Sequence, residues 1–301
     1  MKKMYWLLLA ALSITNTLFA QAPTPDQLRT AIAQAVRQAK TPSASVGQVE
    51  NRQVLGTPDS IPIRIYRPTS MMANLPLIYH VHGGAWVGGD LDTHDNICRR
   101  LCQDANAVVV AVHYRRPPEH PYPASSDDVM TVLNWIEANR AGLSPNGPLI
   151  LLGDSAGGTF VASTSLRNAE TAKPVPIAAQ ILINPALDIR PGSPAFETYE
   201  QFIRWGMPDI SKTSEPYASP LISTQLKVMP PTSIVVNELD ELREDGIQMD
   251  QKLRAAGVKS VLFEQKGIGH FGPVWCADHA TVKPALAFVL QQIMAVSSPK
   301  R

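Results

Sequence analysis

A glycine-rich turn directly after a short apolar segment is the feature that most constrains how this chain folds. Residues 149–152 lead into Gly153-Asp154-Ser155-Ala156-Gly157-Gly158, and a helical pattern begins at residue 157. The small residues around the serine let two chain segments approach closely, so the string predicts a strained turn from strand to helix. Such a turn raises a serine hydroxyl above the edge of a sheet, where the helix N-terminus directs N–H groups at developing negative charge. Ser155 is therefore the candidate nucleophile, with an incidental serine in a glycine-rich turn as the alternative.

Apolar, β-branched segments alternate with helical patterns along most of the chain. Strands are predicted at residues 46–50, 61–66, 77–81, 107–113, 149–152, 179–183, 233–236 and 260–263. Helical patterns lie between or after them at residues 94–105, 126–140, 157–169, 244–256 and 284–295. This alternation predicts an α/β fold in which helices cover both faces of a mostly parallel sheet. No helical pattern separates the first two strands, so we expect an antiparallel pair at that edge.

The N-terminal residues 1–22 have the pattern of a secretory signal peptide. Lys2 and Lys3 precede a short apolar run, and Ala20-Gln21-Ala22 supplies the small residues of a cleavage site. An uncleaved anchor is the alternative, but the run is shorter than the roughly 20 residues that a membrane span needs. We therefore expect a mature domain over residues 23–301 without a membrane span, located in a periplasm or outside the cell.

The overall composition is that of a globular chain without a nucleic-acid partner. Hydrophobic residues make up 45% of the sequence and the formal net charge is +1, which excludes an intrinsically disordered protein. No basic stripe is present, so the electrostatic pattern of a nucleic-acid-binding protein is missing from the sequence.

Cysteine and histidine spacing gives no indication of a metal site. Cys98, Cys102 and Cys276 match no zinc module, and His80 and His82 have no third ligand at a recognisable spacing. For the two histidines we therefore expect structural hydrogen bonds. In an oxidising compartment the three cysteines predict one disulfide and one free thiol, and three buried thiols are the alternative.

Two segments outside the strand–helix alternation predict a cap over the active site. Thr24 and Gln27 form a capping-box pattern before an amphipathic helix that runs to about residue 38. Residues 189–231 are rich in proline, show no clear strand and are too long for an ordinary connection. This segment contains the aromatic residues Phe196, Tyr199, Phe202, Trp205 and Tyr217. We expect residues of about 23–45 and 189–231 to form the cap, with a surface loop whose aromatic residues pack on the core as the alternative.

A second glycine-rich string follows the third predicted strand. It reads His82-Gly83-Gly84-Ala85-Trp86, and its glycines allow backbone N–H groups to be presented at close range. Gly83 and Gly84, together with Ala156, are the candidate donors of an oxyanion hole. A phosphate-binding loop is the alternative, but the string lacks the lysine and the Ser/Thr of a Walker motif.

A serine nucleophile also needs a base, and the base needs an acid that orients it. Only His270 and His279 follow Ser155 in the chain, and His270 comes directly after the last predicted strand. His270 is therefore the candidate base. The loop after the seventh predicted strand contains several carboxylates, of which Asp240 is the candidate acid and Glu238 the alternative.

Together these strings resemble the hormone-sensitive-lipase-like family of α/β-hydrolases, the bacterial family IV esterases. The resemblance covers about residues 60 to 275. It rests on His82-Gly83-Gly84-Ala85-Trp86, Tyr114-Arg115-Arg116-Pro117-Pro118-Glu119, Tyr122-Pro123-Ala124 with Asp127 and Asp128, residues 153–158, Asn184-Pro185 and residues 240–246. The chain departs from the family pattern where Ala85 replaces a third glycine and where Glu241 replaces a proline after the acid.

The resemblance implies an α/β-hydrolase fold with an eight-stranded, mostly parallel sheet and a small helical cap. It further implies a serine carboxylesterase for short- to medium-chain esters, with Ser155, Asp240 and His270 as the triad and no cofactor or metal. The implied partner is a small-molecule ester, and the sequence leaves a homodimer open. An amidase- or arylformamidase-type hydrolase on the same fold and a non-catalytic ligand-binding protein are the alternatives.

Overall fold

The computed structural model describes residues 23–39 and 41–297, and the predicted signal peptide lies outside the described residues. Its eight strands form a single sheet. The strands are β1 (Gln48–Val54), β2 (Ile61–Arg67), β3 (Leu77–Val81), β4 (Val108–Val112), β5 (Leu149–Asp154), β6 (Ala179–Ile183), β7 (Thr232–Asn237) and β8 (Ser260–Gln265). All eight predicted strands are present, and β1 is shifted toward the C-terminus, since it begins two residues later and ends four residues later than the predicted 46–50.

The strand order of the sheet is β1-β2-β4-β3-β5-β6-β7-β8. β1 pairs antiparallel with β2, which confirms the predicted edge pair, and β2 also pairs antiparallel with β4. All pairs from β4 to β8 are parallel. Because the carboxyl ends of parallel strands meet at one edge, the loops after β3, β5, β7 and β8 converge there.

Helices cover both faces of this sheet. They are α1 (Pro25–Ala39), α2 (Asp95–Asp104), α3 (Ala124–Ala138), α4 (Arg140–Leu143), α5 (Ala156–Ala169), α6 (Pro194–Gly206), α7 (Arg243–Ala255), α8 (Pro273–Cys276) and α9 (Lys283–Ser297). The core on one face contains Val129 of α3, Val161 of α5 and Met249 of α7. The core on the other face contains Ile97 of α2 and Val289 of α9. The sheet is therefore buried on both sides, as its continuous apolar strands predict.

The proline-rich segment 189–231 folds onto the first of these cores. It contains α6 and three single turns of 3₁₀ helix, and the α6 side chains of Phe196 and Tyr199 are buried. Ser193 caps the helix, since its hydroxyl accepts the N–H of Phe196 at 3.1 Å. The segment is thus an ordered insertion between β6 and β7.

The N-terminal helix α1 begins with the predicted capping box. The N–H of Thr24 donates to Gln27 Oε1 at 2.8 Å, and the N–H of Gln27 donates to Thr24 Oγ1 at 3.3 Å. Arg29 fixes the helix to the domain through the carbonyl of Val87 at 3.0 Å and the carboxylate of Glu119 at 2.7 Å. α1 therefore lies against the loop that follows β3, and it also packs on α8.

The C-terminal helix is the most apolar helix of the fold. Among the described residues, Ala280–Ser297 is the one stretch that is long and apolar enough to cross a membrane, by length and composition alone. In the fold, Ala285, Leu286, Val289 and Ile293 of this stretch are buried against the sheet. α9 is accordingly one of the helices that cover the core.

Candidate active site

Ser155 occupies a strained turn between β5 and α5. Its backbone angles are φ 52° and ψ −120°, and its N–H donates to the carbonyl of Ile183 at 2.8 Å. The turn depends on its glycines, because a Cβ atom on Gly157 would lie 2.1 Å from the carbonyl oxygen of Val81. A positive φ at a residue other than glycine costs energy that the surrounding packing has to compensate. The sequence prediction of a strained strand-to-helix turn is confirmed in this geometry.

The structure brings the three predicted triad residues together at the carboxyl edge of the sheet. His270, in the loop between β8 and α8, places Nε2 3.1 Å from Ser155 Oγ. Its Nδ1 lies 2.9 Å from Oδ2 of Asp240, which is in the loop between β7 and α7. The other carboxylate oxygen of Asp240 accepts the N–H of Leu242 at 2.9 Å. The Asp240 side chain has no exposed surface, so both of its oxygens have fixed partners.

Glu238, the alternative acid, points elsewhere. Its carboxylate accepts the N–H of Gly267 at 2.8 Å and pairs with Lys266 at 3.3 Å on the surface. The bond from Gly267 is the largest of the influences that lower the pKa of Glu238. His279, the alternative base, accepts the N–H of Thr281 instead of contacting Ser155.

The environment of His270 favours its protonated form. Burial lowers the pKa of His270, but the negative charge of Asp240 and its hydrogen bond outweigh burial, and Glu241 and Asp154 act in the same direction. The net effect is a pKa above the ordinary value of 6.5. A ring in this position accepts a proton readily, which is the property that a general base requires.

The predicted oxyanion loop lies directly against the nucleophile. A Cβ atom on Gly83 would lie 2.5 Å from Asp154 Oδ2 and 3.2 Å from Ser155 Cβ, so only glycine fits there. Gly83 is the first of the three predicted oxyanion donors, and its position beside Ser155 fits that role. Gly84, with φ 126°, and Ala156, at the start of α5, are the other two predicted donors.

An apolar cavity lies between the loop after β3, the first turns of α5 and the insertion, and no triad residue lines it. The space it encloses, counted together with its opening to solvent, is about 450 Å³. Trp86 and Phe160 form its inner wall, and the insertion contributes Phe202, Ile203 and Met207. Trp205 is not one of its lining residues and instead contacts Phe202, at 5.5 Å between ring centroids.

A buried polar cluster lies behind the nucleophile, and no spacing in the sequence indicates it. Asp154, His94 and Cys276 each place a ligand-type atom within 4.8 Å of the other two, and all three residues are buried. They are the group within residues 23–39 and 41–297 that is arranged most like a metal site. The three cysteines are free and buried, so the alternative of three buried thiols is the one that the structure favours.

The two histidines of β3 behave differently from each other. His82 Nδ1 donates to the carbonyl of Gly83 at 2.9 Å, as expected for a structural hydrogen bond. His80 has no hydrogen-bond partner for either ring nitrogen among the described residues, and its Nε2 lies 3.8 Å from Asp154 Oδ1. The predicted hydrogen bonding is therefore wrong for His80, because this ring is enclosed between the sheet and the buried cluster.

The comparison with known proteins gives consistent results at the level of sequence and structure. A family model described as alpha/beta hydrolase fold matches residues 78–272. The carboxylesterase NlhH of Mycobacterium tuberculosis is 36% identical over 271 residues, which are 84% of this chain and 83% of that protein. Esterase LipI of the same organism is 34% identical over 253 residues, covering 77% of this chain and 78% of that protein.

Solved structures show the same similarity. The hyperthermophilic esterase from the archaeon Pyrobaculum calidifontis superposes with a TM-score of 0.80 at 29% sequence identity. The match covers 90% of this chain and 93% of that one.

Proposed function

The chain belongs to the alpha/beta hydrolase fold family, in its hormone-sensitive-lipase-like branch, and from that membership we propose that it is a serine carboxylesterase. The observation that carries the proposal is the hydrogen-bonded series Ser155 Oγ to His270 Nε2, at 3.1 Å, and His270 Nδ1 to Asp240 Oδ2, at 2.9 Å. Relatives that match most of the chain have names that specify esterases, which supports esters as the substrate class.

In the proposed reaction, Ser155 Oγ attacks the carbonyl carbon of the ester while His270 Nε2 takes the hydroxyl proton. Asp240 keeps the other ring proton on Nδ1 and stabilises the imidazolium that forms. The N–H groups of Gly83, Gly84 and Ala156 bind the oxyanion of the tetrahedral intermediate. His270 then protonates the leaving alkoxide, and water, activated by the same ring, releases the acid from the acyl-enzyme.

Labelling with a fluorophosphonate probe tests the proposal, since such a probe reacts only with an activated serine. We expect one probe molecule per chain, located on Ser155 by mass spectrometry of the digested protein. An unlabelled protein would support the non-catalytic ligand-binding alternative. Comparing an ester and an amide with the same acyl group separates the carboxylesterase from the amidase alternative, because the fold does not distinguish them.

We further propose that the apolar cavity lined by Trp86 and by Phe160 of α5, the helix that follows Ser155, receives the acyl chain and limits its length. The insertion supplies Phe202, Ile203 and Met207 to the wall, which supports its interpretation as a cap. α1 contributes to the cap through Arg29, whose side chain donates to the carbonyl of Val87 and so fixes the loop after β3. A wall at limited depth favours short and medium acyl chains, because each methylene buried there contributes about 0.8 kcal/mol and longer chains find no room.

Phe202→Ala is expected to move the acyl-chain preference toward longer esters while changing turnover of an acetate ester little. The acetyl group does not reach the Phe202 wall, whereas a longer chain occupies the space that the ring vacates. The measurement is kcat/KM for p-nitrophenyl esters from acetate to palmitate. Trp205→Ala is the matched control, since Trp205 is an aromatic residue of the same helix that does not line the cavity. An identical profile in Phe202→Ala and wild type would contradict the assignment of this cavity to the acyl chain.

The rate is expected to rise with pH as His270 loses its proton. The base must be neutral in the free enzyme, and its pKa lies above 6.5, so kcat/KM is low below this pH and reaches a plateau above it. The measurement is kcat/KM for p-nitrophenyl acetate between pH 5 and 9. A rate that is constant over this range would contradict His270 as the base.

We also propose a periplasmic or secreted location for the mature protein. The support is the sequence of residues 1–22, with Lys2 and Lys3 before a short apolar run and a small-residue cleavage site. Mass spectrometry of the N-terminus after expression from the full-length gene tests this, and an intact Met1 would contradict it.

A further inference from the structure

The loop that carries the catalytic base has little regular structure of its own. It joins β8 to α8 over residues 266–272, and three of these residues are glycines. His270 lies within residues 268–271, which belong to no helix, strand or turn. Because glycine leaves a backbone more conformational freedom than any other residue, the position of His270 depends on the contacts that hold the loop.

Two of these contacts hold the outer part of the loop at the surface. The N–H of Gly267 donates to the carboxylate of Glu238 at 2.8 Å, and the carbonyl of Ile268 accepts the N–H of Leu239 at 2.9 Å. Leu239 is 64% exposed, and the contact of Glu238 is an exposed one. Both partners belong to the loop after β7, so the base loop is bound along the loop that carries the acid.

A third contact is buried and lies next to the base. Asn237, the last residue of β7, is fully buried, and its Nδ2 donates to the carbonyl of Gly269 at 2.7 Å. Gly269 directly precedes His270, so its carbonyl and the backbone N–H of His270 belong to one planar peptide unit. A side chain that fixes this carbonyl therefore fixes the orientation of the backbone from which the catalytic ring projects.

The neighbouring strand end orients the amide of Asn237. Its Nδ2 also lies 3.4 Å from Oδ1 of Asn184, which directly follows β6 and is 2% exposed. The two N–H groups of the amide thus face two oxygens. The opposite orientation would place the amide oxygen against both of these oxygens with no proton between them, so the donor has to face Gly269.

Asn237 also contacts the acid of the triad. Its backbone carbonyl accepts the N–H of Asp240 at 3.2 Å. One residue therefore holds the backbone on both sides of the 2.9 Å contact between Asp240 Oδ2 and His270 Nδ1.

The amide is not an arrangement that stability alone would favour. The Oδ1 atom of Asn237 is buried and has no hydrogen-bond partner among the described residues. A buried acceptor without a partner costs stability, and an apolar side chain of the same shape avoids that cost. Such unpaired groups are tolerated where the site needs the rest of the side chain, which here is the donor to Gly269.

We propose that Asn237 is a positioning residue for the hydrolysis, which holds the carbonyl of Gly269 so that the His270 ring reaches both Asp240 and Ser155. The proposal rests on the proposed ester hydrolysis. Asn237 does not line the cavity and has no exposed surface, so it acts on the reaction through the backbone of the base loop.

Asn237→Ala removes the donor and is expected to lower kcat for p-nitrophenyl acetate by about ten- to a hundredfold, since a misplacement of about 1 Å has an effect of this size. KM is expected to stay within about twofold of the wild type, because the side chain makes no contact with the substrate. His270 acts in both acylation and deacylation, so the two steps slow together. The measurement is kcat and KM at pH 8, with thermal unfolding to verify the fold.

Asn168→Ala is the matched control. Asn168 is 5% exposed, its Nδ2 donates to the carbonyl of Val175 at 2.9 Å, and its Oδ1 accepts the N–H of Val175 at 2.8 Å. It therefore removes a buried asparagine that also holds a loop carbonyl, but about 20 Å along α5 from Ser155. We expect Asn168→Ala to lower the unfolding temperature and to leave kcat unchanged.

Proton NMR gives a readout that a purely structural role would not change. The His270 Nδ1–H that is hydrogen bonded to Asp240 is expected to give a far-downfield signal, which Asp240→Asn identifies by removing it. The signal should persist in Asn168→Ala. In Asn237→Ala it should move upfield or broaden, because the ring no longer holds its distance to the carboxylate.

Three results would overturn the proposal: a folded Asn237→Ala with the kcat and the downfield signal of the wild type, an equal loss of kcat in Asn168→Ala, or an effect confined to KM. Should Asn237→Ala fail to fold, Asn237→Leu decides by the same criteria, since leucine fills the space of the asparagine without a donor.

The proposed function and this inference fail in different ways. If the wild-type enzyme does not turn over p-nitrophenyl acetate and Ser155 is not labelled by the fluorophosphonate, the proposed function is wrong. Normal turnover and labelling of the wild type, together with an undiminished kcat in Asn237→Ala, contradict only the role of Asn237.

Discussion

Ser155→Ala is expected to lower kcat for p-nitrophenyl acetate by about six decades, the size of effect seen when the nucleophile of a serine hydrolase is removed. No other hydroxyl occupies the position 3.1 Å from His270 Nε2 that the Ser155 Oγ holds. The backbone conformation should survive the change, because alanine has the same Cβ atom as serine and the turn is fixed by Gly153 and Gly157. Thermal unfolding of the variant should therefore match that of the wild type.

Ser163→Ala is the matched control for this variant. Ser163 is a buried serine of α5, the helix that begins after Ser155, and its hydroxyl has no hydrogen-bond partner among the described residues. Its removal should leave turnover unchanged. Residual turnover of Ser155→Ala within a factor of ten of the wild type would mean that another group performs the attack, and the assignment of the nucleophile would be wrong.

The sheet and its catalytic edge are predicted well from the sequence for a physical reason. Strands buried on both faces are continuous apolar runs, and the glycines around Ser155 mark a place where two backbones meet. Both signals are local, so a single sequence contains them. The position of β2 beside β4 could not be predicted, because neither strand carries a residue pattern that specifies its neighbour.

The features that the sequence does not reveal depend on contacts between distant segments. Gly83 is a glycine because the Asp154 carboxylate lies where its side chain would be. The contact of His94 with Cys276 joins positions 182 residues apart. A histidine before a helix and a cysteine near the C-terminus are each unremarkable in sequence, and only the fold brings them into contact.

The choice between Asp240 and Glu238 could not be made from the sequence for the same reason. Both carboxylates lie in one loop, and only the fold shows which of them contacts His270.

Asp240→Asn is expected to lower kcat by about four decades through a wrong tautomer of His270. Asp240 Oδ1 accepts the N–H of Leu242 and Oδ2 faces His270 Nδ1. In the asparagine variant the amide oxygen keeps the bond from Leu242, which leaves the NH₂ group facing Nδ1. The ring must then accept at Nδ1 and carry its proton on Nε2, the nitrogen that has to take the proton of Ser155.

Glu238→Gln is the matched control for Asp240→Asn, because it makes the same change of charge two residues away. Glu238 contacts Gly267 and Lys266 on the surface, so its loss should change kcat by less than about twofold, as expected for an exposed ion pair. The measurement is kcat for p-nitrophenyl acetate in the two variants at pH 8, with circular dichroism to verify that both are folded. If Glu238→Gln were the damaging change and Asp240→Asn the mild one, the acid would be Glu238, and the hydrogen bond that His270 donates to Asp240 would have only a structural role.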